Sequence, residues 1–336
     1  MSSDRSRGHF ERVTIESDAL RGNPLGDPHE RPLWVYLPPG YEGSERRYPA
    51  VYVIQGMTGM VEAWFNVSPF AENFPRMVER LAPECLVVLV DAFTALGGSQ
   101  FVDSPAVGRY HTYLCDEVVP FVDGRYRTLA AREHRGIQGK SSGGYGAMIT
   151  PVLRPDLFGG LATHAGDALF EWAYAREFPV AVRALRDEYG GSWERFLEDF
   201  RSGRPVLSKP SDHVLLNTYA MAACYSANED GTIDFPFDLE TAAPRPDVWQ
   251  RWLAWDPVRS VPDAAETLRS MRAIWIDAGR SDDFYLDLGA IAFRNELTAL
   301  GIGADMVRFE LFDGTHAGLE WRYPDAIGWL ADRLRA

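Results

Sequence analysis

Cysteine is scarce in this chain: Cys85, Cys115 and Cys224 are the three present, widely spaced and with no CxxC pair among them. A disulfide framework, a cysteine-held metal and a dithiol redox pair are set aside on that ground, leaving core residues or spare thiols. Basic charge is also in deficit, with 34 Lys and Arg against 48 Asp and Glu for a net charge of −14. A nucleic-acid surface needs a basic patch, so none is expected, and the acidity is read as solubility. No apolar run approaches the roughly 18 residues of a membrane span, and no repeat or low-complexity tract is visible. No HExxH-like cluster of His, Asp and Glu offers a metal site. The first residues, Met1 to His9, lack the apolar core of a secretory signal, so a cytoplasmic location is expected. No cofactor, nucleic acid or membrane partner is expected; homo-oligomerisation is left open.

What remains is an ordinary globular composition, 46% hydrophobic and 24% charged over 336 residues, which suits one enlarged domain or a core with an insertion. Strand signals fall at Phe10 to Ser17, Leu33 to Leu37, Ala50 to Ile54 and Leu86 to Val90, and the continuous apolar run of the last suits a parallel strand covered on both faces. Apolar residues recur at helical spacing over Tyr110 to Val122. A short strand is expected at Gly160 to Thr163. Towards the C-terminus come a strand at Met271 to Ala278, a helix at Leu286 to Leu300, a strand at Met306 to Phe312 and an amphipathic helix from Pro324 to Arg335. Alternating strands and helices predict an α/β fold with a mostly parallel sheet. From residue 166 to about 262 the rhythm breaks into helical segments with Pro-rich connections. Five of the ten tryptophans lie there, at positions 172, 193, 249, 252 and 255, and are read as packing the insertion rather than binding substrate.

The segment Arg135 to Ala147 contains Gly139-Lys140-Ser141-Ser142-Gly143, a Gly-x-Ser-x-Gly pattern where a strand turns sharply into a helix. Exposing a serine Oγ at such a tip strains the backbone and brings helix and strand close, which glycines at 139 and 143 permit. Ser141 is therefore the candidate nucleophile. The backbone N–H of Ser142, at the helix start, falls where an oxyanion donor belongs. A phosphate-binding reading of Gly139-Lys140-Ser141 fails because its first glycine would have to be His134.

A serine nucleophile needs a base to take its proton and an acid to fix the base's tautomer, and after an elbow of this kind they follow in the order serine, acid, histidine. Of the seven histidines, His316 alone lies beyond the last strand, in the loop Phe312 to Gly318. His164 follows a strand too, but precedes any plausible acid. Asp282 and Asp283 both sit just past the strand Met271 to Ala278, with Asp277 still inside it; Asp282 is favoured as the acid, and helix capping is the role left for the other. For the second oxyanion donor, the strand ending at Ile54 leads into Gln55-Gly56-Met57-Thr58-Gly59, and the Met57 N–H is the candidate.

Together with Val35-Tyr36-Leu37-Pro38-Pro39-Gly40-Tyr41, these residues resemble the putative esterase family of α/β-hydrolases, which includes esterase D, enterochelin-type esterases and mycolyltransferases. The resemblance implies an α/β-hydrolase fold, with core segments at 1–165 and 263–336 and a helical insertion or lid at 166–262. It implies carboxylic-ester chemistry on a small-molecule ester, through a Ser141–His316–Asp282 triad and an acyl-enzyme, without a cofactor. Acyl transfer to an alcohol on the same fold, or a non-catalytic binding role, are the alternatives. The loop Gly97 to Tyr110 is similar to the family's loop facing the active site, which makes Gln100 and Tyr110 candidate substrate contacts. Two positions depart from the pattern: Gln55 stands where His or Asp is common, and Lys140 where His is frequent.

Overall fold

The computed structural model describes residues 8–203 and 207–335; the stretch weighed above for a signal falls almost wholly outside them. The strands β1 (His9–Glu16), β2 (Glu30–Leu37), β3 (Ala50–Ile54), β4 (Leu86–Val90), β5 (Arg135–Ser141), β6 (Gly160–Gly166), β7 (Ala273–Gly279) and β8 (Val307–Phe312) form one sheet. Their spatial order is β1-β2-β4-β3-β5-β6-β7-β8. Only the β1–β2 and β2–β4 pairs are antiparallel; from β4 across to β8 every neighbour is parallel.

Side chains on a strand alternate between faces, and here both faces are dry. Tyr52 and Ile54 of β3 join the core on one side, with helix α1 (Ser142–Leu153) among its covers, while Val51 and Val53 join the core on the other. That second face is closed by helix α2 (Tyr323–Leu334) through Ile327, Leu330 and Leu334. This two-sided burial is why β3 and β4 read as unbroken apolar runs rather than alternating ones. Because the parallel strands run the same way, β3, β5, β6, β7 and β8 all deliver their C-terminal ends to one edge, the position where open α/β sheets place their sites.

Between β6 and β7 the chain leaves the sheet for a run of helices that includes Phe178–Tyr189, Trp193–Phe200, Asp212–Tyr225 and Pro246–Leu253. Aromatic contacts hold it together. Trp193 stacks on Phe235 with ring centroids 4.8 Å apart, and the buried Trp252 donates its indole N–H to Ser226 Oγ at 2.9 Å. Trp172, by contrast, is half exposed. Among the described residues no helix is long and apolar enough to cross a membrane. The helix Phe74–Leu81, capped by Asn73 Oδ1 on the Arg76 N–H, has no counterpart in the sequence reading.

His164 and Asp277 face each other across the β6–β7 pair and form a buried contact, Nδ1 to Oδ1, of 2.7 Å. The other oxygen of Asp277 accepts from Trp275 Nε1 at 2.7 Å and Arg322 Nε at 2.9 Å. Burial alone pushes the Asp277 pKa up, but His164, the Trp275 donor and Arg322 together outweigh it and hold the carboxyl below its ordinary value. Asp277→Asn is expected to destabilise the fold by about 2 kcal/mol at neutral pH, since it takes the charge out of buried hydrogen bonds to His164 and Arg322 and leaves Arg322 paired with Glu310. A depressed folded pKa confers stability above the unfolded value that is lost as pH falls through the folded one. The stability gap between wild type and variant, followed by urea unfolding, therefore narrows only below the ordinary carboxylate range.

Candidate active site

Ser141 ends β5 with φ 57° and ψ −126°, a region L-residues avoid at a cost of roughly 1–3 kcal/mol. The neighbouring glycines make it attainable. A Cβ on Gly139 would lie 2.5 Å from the Gly143 carbonyl carbon, and one on Gly143 would lie 2.5 Å from the Ile54 oxygen. Helix α1 thus starts in contact with the ends of β3 and β5, and a side chain at either position would push it away.

The loop after β3 is equally close. A Cβ on Gly56 would stand 2.9 Å from the Lys140 oxygen and 3.3 Å from Ser141 Cβ, so the backbone at Gly56 and Met57 runs against the elbow. Among the described residues, neither the Met57 N–H nor the Ser142 N–H has an acceptor in the fold. Gln55, whose place is unlike the family pattern, is buried and accepts from the Ala92 N–H at 3.1 Å while its amide faces Asp91 Oδ1 at 3.3 Å.

Past the end of β7, Asp282 uses its two oxygens differently. Oδ1 accepts from the Phe284 and Leu286 N–H groups at 2.9 and 3.3 Å, which fixes the loop. Oδ2 lies 2.8 Å from His316 Nδ1. The Asp282 side chain is fully buried, whereas the imidazole keeps 14% of its surface exposed. The exposed Asp283 takes the other contact, its Oδ2 accepting the His316 backbone N–H at 3.2 Å. One aspartate thus meets the ring and the other the main chain.

Ser141, Ser142, Met57 and His316 line a single cavity of about 310 Å³. Lys140, Asp167, Tyr174, His213, Asn217 and Glu320 share its wall, so the helical segment between β6 and β7 contributes to it through Tyr174, His213 and Asn217. Lys140 supplies a cation whose pKa is lowered by burial against the pull of Glu320 and Asp282. The His213 imidazole, tilted against Phe284 with centroids 5.4 Å apart, has its pKa lowered by burial and then by His316.

Two candidate residues lie elsewhere. Gln100 is buried behind the wall, its amide donating to Tyr225 and Tyr174 hydroxyls at 2.8 and 3.0 Å and to Asp167 at 3.2 Å. Tyr110 accepts from the buried Arg31 at 2.6 Å and donates towards the partly buried Asp27 at 3.3 Å. Neither residue lines the cavity. His164 is likewise turned into the core with Asp277. The residue that sequence reasoning passed over is Asp167, one position past β6, whose carboxylate Oδ1 lies 3.5 Å from Ser141 Oγ. The one signal it carries is its place just beyond the strand that neighbours the Ser141 strand, a pairing that only the folded sheet reveals.

With this geometry in view, comparison with known proteins is informative. The profile of the family described as Putative esterase matches residues 28–322. An endo-1,4-beta-xylanase/feruloyl esterase of Xylanibacter ruminicola is 24% identical over 165 residues, 46% of this chain and 21% of that protein. An esterase of Mycobacterium tuberculosis is 25% identical over 150 residues, covering 44% and 31% of the two chains. The matched region thus spans only a minor part of either relative. Among solved structures, a ferulic acid esterase superposes with a TM-score of 0.60 at 19% identity, over 98% of this chain and 99% of that one. An S-formylglutathione hydrolase from Agrobacterium tumefaciens gives 0.58 at 18%, over 98% and 97%. Mycobacterium tuberculosis MPT51 gives 0.58 at 15%, over 97% and 99%. The architecture is that of the α/β-hydrolases.

Proposed function

Because the chain belongs to the Putative esterase family, we propose that it is a serine hydrolase of small carboxylic esters, acting through an acyl-enzyme on Ser141. The observation that carries this reading is the 2.8 Å contact of Asp282 with His316, whose ring opens onto the same cavity as the Ser141 elbow. In this reading Ser141 Oγ attacks the ester carbonyl carbon as His316 Nε2 takes its proton. Asp282, at Nδ1, keeps the free electron pair on Nε2 and stabilises the imidazolium. The negative oxygen of the tetrahedral intermediate settles between the N–H groups of Met57 and Ser142, each such donor being worth about a hundred- to a thousandfold in rate.

Collapse of the intermediate breaks the bond to the alcohol, which leaves with the proton from His316. Water then attacks the acyl-enzyme by the same route, giving the acid and free Ser141. The test is labelling with a fluorophosphonate, followed by peptide mass spectrometry, alongside turnover of p-nitrophenyl acetate through butyrate. The expected result is one phosphonylated site, on the peptide carrying Ser141, with turnover lost in proportion to label taken up and both absent in Ser141→Ala. Absence of both label and turnover in wild type would sink the reading.

A further inference from the structure

The proton relay leaves the carboxylate of Asp167 unused, although it stands 3.5 Å from the Ser141 hydroxyl oxygen. Asp167 is 6% exposed and lies in the cavity wall. Its Oδ2 gathers three donors: Tyr174 OH at 2.8 Å, Gln100 Nε2 at 3.2 Å and Ser142 Oγ at 3.2 Å. Among the described residues its Oδ1 has only Ser141 Oγ, at 3.5 Å, the outer limit of a hydrogen bond. The main chain is tied too, the Asp167 N–H reaching the Ser141 oxygen at 3.4 Å. Gln100 is itself buried and held by Tyr225, so the carboxylate is locked from behind. One oxygen is satisfied; the other belongs to a buried residue of the cavity wall and has a single long contact. Burial raises the Asp167 pKa, against Tyr174, Gln100, His316 and Ser142, which lower it. An acceptor in this condition is costly until a donor arrives.

The sheet order says which part of an ester would bring that donor. Met57 follows β3 and Asp167 follows β6, on opposite sides of β5, so the carbonyl oxygen and Asp167 flank the nucleophile from different sides. His316, which must hand its proton to the departing alcohol, is the partly exposed group, and the alcohol leaves by that open side. The buried side, at Asp167, is left to the acyl group. Once the acyl carbon is bonded to Oγ, a substituent on the next carbon stands within reach of an acceptor 3.5 Å from Oγ.

Resting on the ester-hydrolase reading, we propose that Asp167 is a specificity residue that accepts a hydrogen bond from a hydroxyl or ammonium on the carbon next to the ester carbonyl, making esters of α-hydroxy or α-amino acids the preferred substrates. The amide of Asp167→Asn tests it sharply. Three donors surround the Oδ2 position, so the amide oxygen settles there and the NH₂ faces the cavity, opposing a substrate donor with another donor.

The experiment is kcat/KM, measured by pH-stat on the full chain, for ethyl lactate, alanine ethyl ester and 2-hydroxyethyl propionate, each relative to ethyl propionate. The expected result is a preference of about ten- to a hundredfold for the lactate or the alanine ester in wild type, reduced by at least tenfold in Asp167→Asn. Which of the two is favoured identifies the donor as hydroxyl or ammonium. Ratios near one in wild type would overturn the proposal, as would preference for 2-hydroxyethyl propionate alone or a selectivity that the variant leaves unchanged. The wild-type ratios decide the matter even if the variant does not fold. If propionate is turned over and the ratios are flat, the esterase reading survives and the specificity falls; if no ester is turned over and no fluorophosphonate is taken up, both fall.

Discussion

Ser141→Ala is expected to lower kcat on any ester substrate by roughly 10⁵- to 10⁶-fold while the protein still folds. In the proposed mechanism the nucleophile acts as a unit with its base and acid, and the size follows from that: once the attacking atom is gone, the remaining parts have nothing to activate, and only oxyanion donors and binding remain to act on water. The fold is expected to tolerate the change because alanine keeps the Cβ. The strain at φ 57° is then the same in both proteins, and the one contact removed is the 3.5 Å approach to Asp167 Oδ1. The unfolding free energy from urea titration should therefore change by no more than about 1 kcal/mol. Ser142→Ala makes the useful comparison, since it deletes a side-chain bond to Asp167 but retains the backbone N–H assigned to the oxyanion. Its loss is expected to be far smaller than that of Ser141→Ala. Activity above about 1% in the Ser141 variant, assayed against a mock-purified control, would assign the nucleophile elsewhere.

The parts of the fold that were legible in the sequence are those where one local rule fixes the outcome. Ala50 to Ile54 reads as a strand from its β-branched and aromatic residues, and Leu86 to Val90 as one covered on both faces; both are strands buried throughout. The elbow is legible because close approach of helix and strand demands glycine at 139 and 143, whatever the rest of the chain does. The serine, acid and histidine could be sought by chain order because a parallel sheet returns every strand end to one edge. What the sequence hid depends on partners far apart along it. Gln100 looks like a loop residue free to meet a ligand until Tyr174 and Tyr225, from the helical segment, turn out to hold it. Tyr110 is taken up by Arg31 and Asp27 in the same way. Asp167 was obscured because it reads as the first residue of an irregular stretch; nothing local says that its carboxylate turns back to the elbow. The helix Phe74–Leu81 is short, and Pro75 near its start reads as a breaker unless the Asn73 cap is recognised.

Asp282→Asn is expected to cost about 10⁴-fold in kcat, and Asp283→Asn no more than about tenfold, although the two residues are adjacent. The difference lies in what each oxygen does. Oδ1 of Asp282 holds two backbone N–H groups, so an asparagine there keeps its amide oxygen on them and turns its NH₂ towards His316 Nδ1. That nitrogen must then become an acceptor, which places the proton on Nε2, the atom required to take the serine proton. The ring remains in place in the wrong tautomer. This is why asparagine, rather than alanine, is the informative substitution: alanine would release the loop and confuse geometry with chemistry. Among the described residues the Asp283 carboxylate meets the His316 main chain alone, at 3.2 Å and from an exposed position. An amide oxygen can accept that N–H as the carboxylate does. Steady-state kinetics on one ester, with fluorophosphonate labelling rates as a second readout of Ser141 reactivity, separates the cases. A deep loss in Asp283→Asn with little in Asp282→Asn would transfer the acid to residue 283 and require the His316 loop to rearrange before each turnover.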